Sequence, residues 1–340
     1  MITTGCVTPS TPEPLELISV SDGWLAMGTF FEADLRVRPD EGERARAWLE
    51  WARGEIARLE SIYSRHDPTS ALSLLNRTLA SGGGIRSAVR VDPELESILF
   101  SAIEIWEETG GAFDMTIGPV VNVWTEAAAQ GKWPRAESLR RAKRQVGTQG
   151  LLLLGRGGLR VTISGMRIDL DGISKGVVLD RLRERLEADL PDAAVLLNFG
   201  ESSVLAIGDP DGEGWKVVLR SENPANRNLG TLRLRDRALS VSSSIGSVIE
   251  IEGQRVSHII DPRNGSAIEE NVEAIVIADR AGVADGWSTA LGVVGANRAA
   301  LRMAEKAGIE ANILDGSGRT AITKGWDISV SGNVPKSNRK

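Results

Sequence analysis

Six short strand-like segments follow one another between residues 194 and 251 of this 340-residue chain. They cover 194–199, 203–207, 215–220, 231–234, 239–242 and 247–251, and Gly, Asp and Pro residues break them apart. Strands that succeed one another without intervening helices favour antiparallel pairing, whereas a doubly wound sheet needs helices alternating with its strands. We therefore predict an α+β protein with mostly antiparallel sheets and packed helices.

Helical patterns flank this strand-rich region. Apolar residues recur every three or four positions from Glu41 to about Ile62 and again over 93–108, which predicts amphipathic helices. Further helices are predicted at about 173–190, 283–295 and 297–307. Further strands are predicted at 25–37, 151–154, 159–163, 166–170 and 273–278, with a last strand pair after the final helix.

The composition supports one globular unit. Hydrophobic residues make up 41% of the chain, and the formal net charge is −6 with no long run of Lys or Arg. This balance argues against nucleic acid as a partner, because such binding requires a concentrated basic surface. We expect a flexible tether over 1–22, a single domain over 23–330 and a polar tail over 331–340.

The one cysteine of the chain, Cys6, follows small residues as in the end of a bacterial lipoprotein signal. The charged start and the apolar run of such a signal do not precede it. Two interpretations stay open. If an upstream signal is missing, the protein is a lipoprotein on the periplasmic side of the bacterial envelope, attached to the membrane through Cys6. If Met1 is the true start, the protein is cytoplasmic and Cys6 is a surface thiol.

Residues 168–176 read IDLDGISKG, which ends a predicted strand and opens a predicted helix. Free backbone N–H groups at such a junction favour phosphate, and the side chain of Lys175 can reach an anion. Asp171 can cap the helix or accept a hydrogen bond from a ligand. From the spacing alone, a capped helix with one exposed lysine is the preferred interpretation of these residues.

Asp285 and Thr289 stand four residues apart at the start of another predicted helix. This spacing puts their oxygens on one helical face. Mg²⁺ takes few protein oxygens and completes its shell from water and phosphate, so the pair suits this ion. An ordinary helix cap is the alternative interpretation.

Two more segments carry groups of chemical interest. His258, one of two histidines in the chain, precedes an apolar pair and the turn sequence 261–265, and it could serve as an acid or base or fill the core. The glycine-rich segment 110–119 contains Phe113 and Asp114. Close backbone approach, a ring face and a polar anchor suit a flat heteroaromatic ligand, although a helix exit rich in glycine looks the same.

Taken in order, these segments closely resemble the ApbE family of flavin transferases from about Met27 to Gly295. The matching segments are Met27-Gly28-Thr29, Ser64-Arg65-His66 with Ser70 through Asn76, 111–119 followed by Trp124, 169–176, 258–265 and Ala284 through Leu291. Agreement of all of them in one order by chance is implausible. The resemblance implies an ApbE-like, T-fold-like architecture.

The resemblance also implies an activity, which is Mg²⁺-dependent transfer of FMN from FAD to a Ser or Thr hydroxyl of an acceptor protein, with release of AMP. The residues expected to contact FAD are Met27, His66, Ala112, Phe113, Asp114, Asp171, Lys175 and Ile260. The expected Mg²⁺ ligands are the backbone carbonyl of Ser174 and the side chains of Asp285 and Thr289. Either His258 or Asp285 is the expected catalytic base. Hydrolysis of FAD to FMN and AMP, and flavin binding without catalysis, are the alternatives.

The sequence departs from the family pattern at three places. His66 stands where the family usually has Tyr or Trp, so a smaller ring is available for stacking. Glu201 replaces the second glycine of an Asn-x-Gly-Gly turn, which is expected to restrict backbone approach. The family's Thr-Ser-Gly segment corresponds to residues 243–246, which read SSIG.

Overall fold

The computed structural model describes residues 16–221, 228–244, 248–268 and 271–326. The α-helices within these ranges are α1 (Gly42–Tyr63), α2 (Ala71–Ala80), α3 (Pro93–Glu108), α4 (Gly118–Ala129), α5 (Ala136–Lys143), α6 (Ser174–Asp189), α7 (Ala281–Val294) and α8 (Arg298–Lys306). The strands are β1 (Ile18–Ala26), β2 (Thr29–Val37), β3 (Val89–Arg90), β4 (Leu151–Gly155), β5 (Gly158–Val161), β6 (Ala194–Phe199), β7 (Ser203–Ile207), β8 (Trp215–Arg220), β9 (Asn228–Leu234), β10 (Arg237–Ser243), β11 (Val248–Ile251), β12 (Gln254–Ser257), β13 (Glu273–Ala278), β14 (Glu310–Leu314) and β15 (Thr320–Ile322).

An eight-stranded sheet forms the centre of the fold, in the order β1-β2-β6-β7-β10-β13-β14-β15. Every neighbouring pair in this sheet is antiparallel. Three smaller antiparallel groups accompany it, namely β3-β5-β4, the hairpin β8-β9 and the hairpin β11-β12. The predicted α+β class with mostly antiparallel sheets is confirmed.

The middle of the large sheet is buried on both faces, and strand β7 illustrates why. Successive side chains of a strand point to opposite faces. Leu205 joins the main core, where α6 and α7 cover the sheet. Its neighbours Val204 and Ala206 belong to a second core with Trp215 and Leu219 of β8. Burial of a Leu or Val side chain stabilises the fold by roughly 1.5–3 kcal/mol, so both layers hold the sheet in place.

Most predicted elements are present, and the errors have physical causes. The five predicted helices correspond to α1, α3, α6, α7 and α8, and the six strands of 194–251 correspond to β6 through β11. Helices α2, α4 and α5, strands β3 and β12, and the part of β1 before residue 25 were not predicted. The predicted strand over 166–170 is wrong: Arg167 forms only an isolated bridge with Ile117. The side chain of Asn76 binds the N–H of Ile168 (2.7 Å) and its carbonyl (2.8 Å), which occupies the groups that a strand would pair.

The first strand corrects the boundary of the expected tether. Strand β1 begins at Ile18, so residues 18–22 pair with β2 and are part of the sheet. Val20 in this stretch is buried, which explains why the chain is ordered here. The rest of the expected tether up to residue 15, including Cys6, and the expected tail 331–340 lie outside the described residues. Across the described ranges, every helix is too short or too polar to cross a membrane.

Candidate functional site

A cavity of about 1240 Å³ is lined by residues that lie far apart in the sequence. All the expected site residues line it: Met27, His66, Ala112, Phe113, Asp114, Asp171, Ser174, Lys175, His258, Ile260, Asp285 and Thr289. Small-molecule sites usually occupy roughly 300–1,000 Å³. The cavity is therefore somewhat larger than a typical small-molecule site.

The tip of the β1–β2 hairpin brings Met27 to the cavity wall. Ala26 pairs with Thr29, so Met27 and Gly28 form a two-residue turn. Their φ angles are 48° and 74°, and two positive values are the geometry that matches the twist of a hairpin. A methionine in this conformation costs roughly 1–2 kcal/mol.

The turn between β6 and β7 approaches this hairpin closely. A Cβ on Gly200 would lie 2.1 Å from the Oγ1 of Thr29, so this position requires glycine. Glu201 follows with a φ of 61°, a conformation that glycine adopts without strain. Its N–H donates to Oδ1 of Asn198 at 3.1 Å. The turn thus closes despite the missing second glycine, and it places a carboxylate on the cavity wall.

Helices α6 and α7 cross at a contact that only glycine allows. A Cβ on Gly176 would lie 2.2 Å from the carbonyl oxygen of Ala281. The N–H of Gly176 donates to Oδ2 of Asp285 at 3.0 Å. The carboxylate of Asp180 accepts the N–H groups of Ala281 and Gly282 at 2.7 and 3.0 Å, which caps α7. The crossing therefore fixes Asp285 beside the first turn of α6.

Lys175 extends from that first turn into the cavity wall. Its Nζ donates to the Oγ of Ser202 at 2.8 Å, and Ser202 Oγ in turn donates to the carbonyl of Phe199 at 3.1 Å. A cation held beside a helix N-terminus attracts anions, since both contribute positive potential. Lys175 thus brings a positive charge to the cavity wall.

Hydroxyl groups surround the carboxylate of Asp285. Oδ1 accepts from Ser240 Oγ at 3.3 Å and from Ser203 Oγ at 3.5 Å. Ser288 connects Ser240 to Ser242 through oxygen contacts of 3.2 and 2.8 Å. These serines come from β7, β10 and α7, so only the pairing of distant segments brings them together. This hydrogen-bond network was not predicted, because no local sequence pattern encodes contacts between distant segments.

The oxygens around Asp285 fit a hard cation. Burial raises the pKa of Asp285, and the charge of Lys175 and the N–H of Gly176 partly oppose this rise. Thr289 Oγ1 lies 3.4 Å from the carbonyl oxygen of Gly172 and 3.2 Å from that of Asp285. Within the described residues, no group of three or more His, Cys, Asp or Glu side chains could hold a metal. One carboxylate, one hydroxyl and backbone carbonyls are nonetheless a donor set that Mg²⁺ accepts when phosphate and water complete it.

His66 stands at the rim of the cavity, with 70% of its side chain exposed. Its Nε2 lies 3.7 Å from Oδ2 of Asp171, the same oxygen that accepts from Arg65 Nε at 2.7 Å. Arg65 Nε also lies 3.1 Å from Oδ2 of Asp169. Burial and the charge of Asp171 raise the pKa of Asp169 to about 6, although Arg65 opposes the rise. Asp171 is thus already paired, and the sequence analysis missed the partner role of Arg65.

Asp114 lines the cavity, but its carboxylate is bound within the protein. Oδ1 accepts from the N–H of Thr116 (2.8 Å), from its hydroxyl (2.6 Å) and from the hydroxyl of Thr148 (2.7 Å). The carboxylate therefore holds the glycine-rich loop in shape. The adjacent ring of Phe113 lies 3.4 Å from the position of a Cβ on Gly172, so the ring packs against the segment that precedes α6.

His258 follows β12 and is exposed in the cavity. The predicted turn comes next: the carboxylate of Asp261 accepts from the N–H and the Nε of Arg263 at 2.8 and 2.9 Å. Trp124 Nε1 donates to the carbonyl of Gly265 at 3.0 Å and fastens α4 to the turn. These hydrogen bonds hold the turn in place next to the segment that carries His258.

Comparison with known protein families identifies the family of this chain. Residues 27–313 match the sequence pattern of the ApbE family, which is most of the chain. The chain belongs to the ApbE family. The resemblance inferred from its motifs is confirmed.

Individual ApbE proteins agree in sequence and in fold. The chain is 28% identical over 309 residues to a FAD:protein FMN transferase of Klebsiella pneumoniae, covering 88% of this chain and 85% of that protein. It is 31% identical over 218 residues to the protein of the same name from Salmonella typhimurium, covering 62% of this chain and 61% of that one. The apo form of the Pseudomonas stutzeri flavinyl transferase ApbE is similar in fold, with a TM-score of 0.79 at 24% identity over 94% of this chain and 98% of that chain. The expected ApbE-like architecture is confirmed.

Proposed function

We propose that this protein is a FAD:protein FMN transferase that uses Mg²⁺ and a Ser or Thr hydroxyl of an acceptor protein. The observation that carries the proposal is the convergence of all the expected contact residues on one cavity. The names of the sequence relatives support it, since they are enzymes that transfer FMN from FAD to protein. The acceptor is accordingly another polypeptide.

The proposed reaction exchanges one phosphorus–oxygen bond for another. The acceptor hydroxyl oxygen bonds to the phosphorus of the FMN half of FAD. The bond from that phosphorus to the bridging oxygen breaks, AMP leaves with this oxygen, and the hydroxyl proton passes to a base. Mg²⁺, when bound, supplies positive charge that stabilises the pyrophosphate oxygens in the transition state.

The residues at the α6–α7 crossing are suited to hold the pyrophosphate. Lys175 offers an ammonium group beside the N-terminus of α6, where backbone N–H groups also attract phosphate. Asp285 and Thr289 offer a carboxylate and a hydroxyl to the cation, together with the backbone carbonyl of Ser174. In our proposal these groups align phosphorus with the incoming hydroxyl, which is the main contribution a protein makes to phosphoryl transfer.

We assign the role of base to His258 and not to Asp285. The Asp285 carboxylate already accepts from Gly176 and from serine hydroxyls, and in our proposal it also holds the cation, so its oxygens are occupied when the acceptor hydroxyl enters. His258 is exposed in the same cavity, and an imidazole within hydrogen-bond reach of a hydroxyl can act as a general base. A hydroxyl entering the cavity can therefore meet the ring.

The test combines the protein with FAD, Mg²⁺ and a peptide that carries an acceptor Ser or Thr. We expect the peptide to gain the mass of an esterified FMN and an equal amount of AMP to appear. Asp285→Ala should lower the rate by about 100-fold or more, because it removes the carboxylate that we propose binds the cation. Asp40→Ala, which removes an exposed carboxylate outside the cavity, should leave the rate unchanged.

Each other outcome identifies a different activity. AMP and free FMN without a peptide adduct would mean that water is the acceptor and the protein is a hydrolase. Tight FAD binding without AMP, with or without peptide, would mean that the protein binds flavin without catalysis. An Asp285→Ala variant with full activity would refute the metal assignment.

A further inference from the structure

Arg65 connects two carboxylates at the wall of the cavity. Its Nε lies 2.7 Å from Oδ2 of Asp171 and 3.1 Å from Oδ2 of Asp169. The N–H of Asp171 also donates to Oδ1 of Asp169 at 3.0 Å, so these three residues form one group, which we call the Arg65 cluster. Side-chain exposure is 27% for Arg65, 9% for Asp169 and 53% for Asp171. Asp171 is therefore the member of the cluster that is most open to a ligand in the cavity.

Helix α2 fixes both sides of the Arg65 cluster. On one side, Ser70 at the start of α2 donates its hydroxyl to the carbonyl of Ser64, the residue before Arg65. On the other side, Asn76 of α2 binds both backbone groups of Ile168, which precedes the buried aspartate of the cluster. One helix therefore sets the distance between the guanidinium and the carboxylates. The cluster is a preformed part of the cavity wall, which is the condition for holding a ligand contact in place.

The contacts within the cluster leave one oxygen of Asp171 for a ligand. Oδ2 accepts from Arg65, whereas Oδ1 has no hydrogen-bond partner among the residues that the structure describes. The charges of Asp169 and Asp171 repel each other, and the guanidinium between them offsets this repulsion. Without the guanidinium, the half-exposed carboxylate of Asp171 would turn away from Asp169 and into water. Arg65 thereby keeps the free oxygen of Asp171 at the cavity wall.

We propose that Arg65 is a positioning residue for the flavin donor, because it holds the Asp171 carboxylate where its free oxygen accepts a hydrogen bond from FAD. The ligand group that this oxygen recognises is an N–H or O–H donor. Arg65 is not among the residues that line the main cavity, so it acts through Asp171 and not by contact with FAD. The proposal rests on the proposed function only in taking FAD as the ligand of Asp171, and it requires no transfer step.

The test is a double-mutant cycle on the Kd for FAD, measured by flavin fluorescence with the full chain and without acceptor peptide. Arg65→Gln and Asp171→Ala should each raise the Kd about tenfold, the loss expected for one charge-assisted hydrogen bond. The double variant should bind FAD no more weakly than Asp171→Ala, because both changes remove the same contact. Arg65→Lys should restore most of the affinity, since one ammonium group can also contact both carboxylates.

The matched control is an arginine that pairs with an aspartate outside the cavity. Arg53 lies 2.7 Å from Asp22, and neither residue lines the cavity. Arg53→Gln should leave the Kd for FAD unchanged. A rise equal to that of Arg65→Gln would show that the loss of any arginine weakens binding, and the positioning role would be overturned.

A further variant separates positioning from stability. Arg65→Gln leaves the buried carboxylate of Asp169 without its counter-charge, and the resulting loss of stability would also weaken binding. Arg65→Gln/Asp169→Asn removes that charge as well, so its Tm should exceed that of Arg65→Gln while its Kd for FAD stays raised. A return of the Kd to the wild-type value in this variant would overturn the proposal.

The cycle also distinguishes this proposal from the proposed function. If the effects of Arg65→Gln and Asp171→Ala on the Kd multiply in the double variant, Arg65 does not act through Asp171. If the wild type transfers FMN and Arg65→Gln binds FAD normally, the positioning role alone fails. If the cycle gives the expected result but no peptide gains FMN, the proposed function alone fails.

Discussion

Gly176 is the position where one added methyl group should damage both stability and activity. Its Cβ would lie 2.2 Å from the carbonyl oxygen of Ala281, and the carbonyl carbon and the Cα of Gly282 are at 2.5 and 2.7 Å. All three neighbours are backbone atoms, so no side chain can rotate away. Real Cβ atoms stay beyond 3.0 Å, and α7 must therefore retreat by about 0.8 Å. Overpacking of this kind costs about 1–3 kcal/mol, and the gain of about 1 kcal/mol in helix propensity leaves a net loss of up to about 2 kcal/mol.

The same retreat should affect the proposed reaction, because α7 carries Asp285 and Thr289. The hydrogen bond from Gly176 to Asp285 would lengthen from 3.0 Å, and the cation ligands would move relative to α6. A misplacement of about 1 Å at a reacting centre costs on the order of 100-fold in rate. We expect Gly176→Ala to lower Tm by about 2–4 °C and to slow FMN transfer to a similar degree as a ligand substitution.

The matched control is the same substitution in another helix. Gly54 lies on the exposed side of α1, and a Cβ there would meet nothing within 4 Å. Gly54→Ala should raise the free energy of unfolding by about 0.5–1 kcal/mol and leave transfer unchanged. Thermal unfolding and the FMN-transfer assay measure both variants. If the two substitutions shift Tm in the same direction, or if Gly176→Ala is fully active, the tight crossing of α6 and α7 is refuted.

Two further substitutions test strain and burial at the cavity wall. Glu201→Gly should raise the free energy of unfolding by about 0.5–1 kcal/mol, because glycine adopts the φ of 61° without strain. Denaturant unfolding measures this difference, and a variant less stable than the wild type would contradict the prediction. Asp169 has a pKa raised from 3.8 to about 6 by burial and by Asp171, so the folded state favours its protonated form. The stability of the wild type relative to Asp169→Asn should therefore fall as pH rises from about 4 to about 6, and a difference that is constant with pH would refute this burial effect.

Local sequence patterns predicted the elements whose signal lies within one segment. The helices α1, α3 and α6 follow from the spacing of their apolar residues, and the strands from 194 to 251 follow from short apolar runs between turn residues. The α+β class came from the order of these elements. The family motifs likewise predicted residues that the structure gathers in one cavity, because each motif is a short continuous segment.

The tertiary structure decided what depends on partners far apart in the chain. Ser203 and Ser240 meet Asp285 only after β7 and β10 have paired and α7 has packed on them. Asn76 binds Ile168 from 92 residues away, which prevents the strand predicted there. A hydrogen bond or contact between two distant segments produces no periodic pattern in the sequence of either segment. These features could therefore be identified only in the folded structure.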